Sequence, residues 1–144
     1  MAEGKMNIVL AGEEASFRNE ISKAFKGAYP KSFITAFADG AELLAYLTSH
    51  RVMTYAPPHL IILDLNMPKL DGKTTTEILR RQSHLQGVPI VVLTDQMSDV
   101  LRHQLLQTGA SLTLQKPATP GAVSSFVAHA IQLCDASPVK GKSV

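Results

Sequence analysis

Residues 60–72 read LIILDLNMPKLDG. Four apolar residues end in Asp64, and a proline and an Asp-Gly pair follow soon after. A short, wholly apolar run bounded by turn signals fits a strand buried on both faces, as in a parallel sheet. Such a strand delivers the next residue to the carboxyl edge of the sheet, where open α/β sheets build their sites. The stretch therefore sets two expectations: a parallel α/β sheet, and Asp64 at its working edge.

The surrounding sequence repeats the same alternation. Residues 8–11 form a strand candidate, and Phe17, Ile21, Ala24 and Phe25 then fall on one face of a helix. Residues 33–37 form a second strand candidate. Asp39-Gly40 breaks the chain, and Leu43, Leu44 and Leu47 mark a second helix. Pro57-Pro58 stops any helix before the strand of the opening stretch. Residues 73–86 are expected as a third helix closed by Gly87, and residues 88–93 as a fourth strand with its proline near the start. Ser98 and Asp99 open a fourth helix that runs through Leu101, Leu105 and Leu106 to Thr108-Gly109. Residues 111–114 form a short fifth strand. Val123, Phe126, Val127, Ala130, Ile131 and Cys134 line one face of a fifth helix. Strand and helix alternate five times. Right-handed crossovers then give a doubly wound, five-stranded parallel sheet with helices on both faces.

The chain has 144 residues, the size of one ordinary domain, expected over residues 1–134. The polar residues 135–144 have no period and are expected to form a disordered tail. Apolar residues make up 45% and charged residues 18%, a normal balance for a globular domain. Cys134 is the sole cysteine, so no internal disulfide forms. No apolar run suits a signal peptide or a membrane span, and a cytoplasmic location is expected. Net charge is +2, and Arg80-Arg81 is the one adjacent basic pair, so no nucleic-acid partner is expected.

Four strand ends should meet at one mouth. Glu13 and Glu14 follow the first, Asp64 ends the third, Thr94 and Asp95 follow the fourth, and Lys116-Pro117 follows the fifth. Carboxylates, a hydroxyl and a lysine at one place suit phosphoryl chemistry. Asp64 is a candidate nucleophile toward phosphorus. A hard ion such as Mg²⁺ takes oxygen ligands, for which Glu13, Asp64 and the Asn66 carbonyl are candidates, with Glu14 as a fourth. Thr94 and Lys116 are placed to hold phosphoryl oxygens.

These motifs resemble the receiver domain of two-component response regulators over roughly residues 6–134. LIILDLNMPKLDG resembles the family's phosphoacceptor segment, VPIVVLTD its fourth strand, and TGASLTLQKPATP its fifth strand with the Lys-Pro pair. The resemblance implies a flavodoxin-like fold and a signalling domain rather than an enzyme. It implies phosphorylation of Asp64, with Mg²⁺, by a histidine kinase or a histidine phosphotransfer protein. It further implies a cis Lys116-Pro117 bond, and a downstream protein bound through the face of the fourth helix, fifth strand and fifth helix. With no output domain in the chain, the signal would pass by protein–protein contact.

Three positions depart from the family's pattern. Two acids usually follow the first strand, but here Gly12 stands at the first place and Glu13 at the second. Thr113 stands where an aromatic switch residue is usual, and Asp95 adds a negative charge after the strand-four hydroxyl. The lost acid is expected to weaken Mg²⁺ by about 10–100-fold. These departures keep a second reading open, a receiver that binds partners without phosphorylation. A phosphohydrolase reading is weaker, because Asn66 stands where such enzymes carry a second acid. Simpler structural roles also suit several of these residues. Glu13 and Glu14 suit the first turn of a helix. Asp95 suits a helix N-terminus, Asp71-Gly72 a turn, and Arg80, Arg81 and the five histidines the surface.

Overall fold

A computed structural model of the chain describes residues 5–54 and 57–135. The expected tail beyond residue 135 lies outside the described residues. Five strands form one parallel sheet in the order β2-β1-β3-β4-β5. They are β1 (Met6–Ala11), β2 (Ser32–Phe37), β3 (Leu60–Asp64), β4 (Ile90–Thr94) and β5 (Leu112–Gln115). The helices are α1 (Ala15–Ala28), α2 (Gly40–Leu47), α3 (His50–Thr54), α4 (Gly72–Leu79), α5 (Asp99–Thr108) and α6 (Pro120–Asp135).

The continuous apolar runs of β3 and β4 follow from the strand's two-residue period. Leu60 and Ile62 face one layer with Phe17, Ile21 and Phe25 of α1 and Phe126 and Val127 of α6. Ile61 and Leu63 face the other layer with Leu43 and Leu47 of α2, Leu79 of α4 and Leu105 of α5. Every residue of β3 and β4 is buried.

Strand order reverses between β1 and β3, so the crevice at their carboxyl ends is the expected site. Ala11 pairs with Leu63 and Asp64 with Leu93, which brings Gly12, Asp64 and Thr94 close to one level.

Several elements depart from the sequence reading. The third helix was expected to reach residue 86 but ends at Leu79, and residues 83–85 form a separate 3₁₀ turn. Bonds of the i→i−3 type from Arg81 and Gln82 tighten the chain there. The short α3 was not anticipated. β4 begins at Ile90 rather than residue 88, since Pro89 has no N–H to give and only its carbonyl joins the sheet, accepting from Ile61. β2 begins one residue earlier and β5 one residue later than expected. Asp71-Gly72 is more than a turn. The Asp71 side chain caps α4 by accepting from the Thr74 N–H at 2.7 Å.

Candidate functional site

β3 carries Asp64 to the sheet edge and leaves it only 2% exposed. Its two oxygens are both engaged. The backbone N–H of Asn66 donates to Oδ1 at 3.1 Å, and Lys116 Nζ donates to Oδ2 at 2.9 Å. β5 supplies Lys116, whose N–H bonds the Thr94 carbonyl at 2.7 Å and so fixes the lysine beside the end of β4. Asp95 Oδ1 stands 3.5 Å from the same ammonium, and the Phe17 ring centroid lies 5.0 Å from it. Burial works against the charge on Lys116, but the hydrogen bond and charge of Asp64, with Asp95 behind, outweigh it. Its pKa therefore lies above the ordinary lysine value.

The segment holding Asp64 is fixed from below. A Cβ on Gly72 would stand 2.8 Å from the Asp64 carbonyl oxygen and 2.9 Å from the Leu65 Cα, so only glycine admits α4 this close. Lys69, at φ 68°, pairs with Asp39 at 3.5 Å and ties the loop to the start of α2. Asp39 caps α2 by accepting from the Glu42 N–H at 2.8 Å. That bond, aided by Lys69 against the effect of burial, lowers its pKa.

A pocket of about 460 Å³ is lined by Glu13, Glu14, Asp64, Asn66, Asp95 and Lys116. Of the expected site residues, the structure thus gathers Asp64, Lys116, Glu13, Glu14 and Asn66. Thr94 is buried at the end of β4 and is not part of the lining. Asp95 belongs to the site rather than to α5, which is capped by Ser98. Glu13 and Glu14 are exposed and precede the first turn of α1, with Glu14 at its N-cap and making no side-chain cap bond.

The donor set is hard oxygen and suits a divalent ion that keeps much of its water. Asp64 has lone pairs to spare, and Glu13 and Asn66 share its pocket. Yet among the described residues no group of three or more His, Cys, Asp or Glu side chains is placed to hold a metal. The residues fit Mg²⁺ only as a weak, hydrated site.

Other expectations need correction. No described peptide bond is cis, so Lys116-Pro117 is trans, the lower-energy form even before proline. Arg80 is not a free surface residue. Its guanidinium donates to the carbonyls of Gly109 at 2.8 Å, Leu85 at 3.0 Å and Val88 at 2.8 Å, and to Ser111 Oγ at 3.2 Å. His59 is half-buried, and its Nδ1 accepts from the Asn7 N–H at 3.0 Å. His84 bonds the Leu47 carbonyl through Nε2 at 2.9 Å.

Residues 8–128 match the response regulator receiver domain family. A probable chemotaxis protein CheY of Rhizobium etli is 30% identical over 115 residues, which cover 80% of this chain and 84% of that protein. A probable methanogenesis regulatory protein, FilR2 of Methanothrix harundinacea, is 32% identical over 98 residues, 68% of this chain. The match spans 63% of FilR2's length. The crystal structure of the phosphorylated cyanobacterial phytochrome response regulator RcpA superposes with a TM-score of 0.81 at 22% identity, covering 94% of this chain and 99% of that one. That likeness bears on the fold.

Proposed function

The chain belongs to the response regulator receiver domain family, and from that membership we propose that Asp64 accepts a phosphoryl group. The observation that carries this reading is the buried Asp64–Lys116 pair at 2.9 Å, placed at the β1/β3 switch point. An Asp64 oxygen attacks phosphorus of a phosphohistidine on a kinase or phosphotransfer protein. The P–N bond breaks, and the histidine leaves with its electron pair and takes up a proton. Lys116 is already beside the attacking carboxylate and turns its ammonium to the phosphoryl oxygens, where the charge is spread. Thr94 supplies a hydroxyl to those oxygens from the end of β4. Glu13, Asp64 and the Asn66 carbonyl would hold Mg²⁺, which when bound neutralises phosphoryl charge. The face of α5, β5 and α6 then carries the signal to a downstream protein by contact.

The crowded acidic mouth favours a second reading, in which the domain binds partners without being phosphorylated. One experiment separates them. Incubation with beryllofluoride or acetyl phosphate at millimolar Mg²⁺, followed by NMR or intact mass, is expected to change the wild type and leave Asp64→Asn unchanged. No Asp64-dependent change leaves the partner-binding reading standing.

A further inference from the structure

We propose that Phe17 is a positioning residue that sets how strongly this site holds a divalent ion. Its ring fills the space that a carboxylate on position 12 would need. The same ring seats the Lys116 ammonium beside Asp64. This rests on the reading of the Asp64 pocket given above.

Gly12 directly follows β1, and the register of β1 on β3 sets it level with Asp64. A Cβ built on Gly12 would stand 3.6 Å from the Asp64 Cβ, near enough for two carboxylates to share one ion. It would also stand 2.6 and 2.8 Å from Cδ2 and Cε2 of Phe17. Real carbon atoms do not approach so closely, and this neighbour cannot step aside easily. Phe17 is 8% exposed and packs in one core cluster with Ile21 and Phe25. A rigid ring wedged in a core yields far less than the free end of a long side chain.

Lys116 Nζ lies 5.0 Å from the centroid of this ring, within the roughly 6 Å over which an aromatic face attracts a cation. The ammonium is therefore held by Asp64 at 2.9 Å, by Asp95 at 3.5 Å and by the ring. The missing acid is thus not a vacancy that one substitution repairs. Positions 12 and 17 are coupled.

A double-mutant cycle tests this on the whole chain. Mg²⁺ is titrated into wild type, Gly12→Asp, Phe17→Ala and the double variant, followed by the amide NMR signals of Asn66 and Lys116. Each single variant is expected to bind within about threefold of wild type, the spread of uncoupled sites. The double variant is expected to bind about 10–100-fold more tightly. A full gain from Gly12→Asp alone overturns the proposal, as does a folded double variant that gains nothing. The wild type offers a check that needs no variant: NOEs from the Phe17 ring protons to the Lys116 ε-methylene are expected, and their absence overturns the proposal. The Mg²⁺ cycle needs no phosphoryl group. A failed beryllofluoride response with intact coupling sinks the phosphoacceptor reading and leaves Phe17's role, and the reverse pattern does the opposite.

Discussion

Thr113 carries a buried side-chain oxygen with no hydrogen-bond partner among the described residues. It is 1% exposed, although its backbone carbonyl accepts from Arg102 at 3.0 Å. A buried hydroxyl without a partner costs about 1–3 kcal/mol, and valine has the same shape without that cost. Thr113→Val is therefore expected to hold or raise stability, by up to about 1 kcal/mol, in urea unfolding. A clear loss would show that the hydroxyl is bonded after all. Legibility at this scale followed chain punctuation. Asp64, Lys116 and the Glu13-Glu14 pair stand at strand ends, so their meeting could be read from order alone. Phe17 could not be read this way. Its spacing with Ile21 and Phe25 marks a core face, which is true, and nothing in that pattern says that its ring also reaches Gly12 and Lys116.

Among the elements, α4 and α5 show where local signals suffice and where they fail. α5 was read from Ser98 to Gly109 because both ends are local chemistry. Ser98 accepts from the Leu101 N–H at 3.1 Å, and Gly109 takes φ 124°, which few other residues tolerate. α4 stops early for reasons that are not local. Its end is gathered by Arg80, whose partners lie as far along the chain as Gly109 and Ser111. Removing that guanidinium strands several backbone carbonyls at once. Arg80→Ala is expected to cost about 2–3 kcal/mol, read from the denaturant midpoint at unchanged slope. A loss under 0.5 kcal/mol, the range of ordinary surface changes, would mean that water replaces the clamp without cost.

Across the whole molecule, sheet and layers were readable because buried parallel strands and amphipathic helices each leave a clear period. The contacts at the amino edge of the sheet were not. There His59 joins three elements: its Nδ1 takes the Asn7 N–H, and its carbonyl accepts from Cys134 Sγ at 3.4 Å. Burial lowers the His59 pKa below 6.5 and raises that of Cys134 to about 12. The unfolded chain protonates His59 more readily, so its contribution to stability is present above pH 6.5 and lost as pH falls through the lower native value. The melting temperature is expected to fall below pH 6.5, and less steeply in His59→Gln. Equal slopes would assign the loss to other groups. At the same edge, Arg80 fastens the C-terminal end of α5 through Gly109, while nearer the N-terminal end Arg102 ties α5 to the Thr113 carbonyl of β5 at 3.0 Å. Any shift of α5 against β5 therefore has to break the Arg102–Thr113 bond or the Arg80–Gly109 bond.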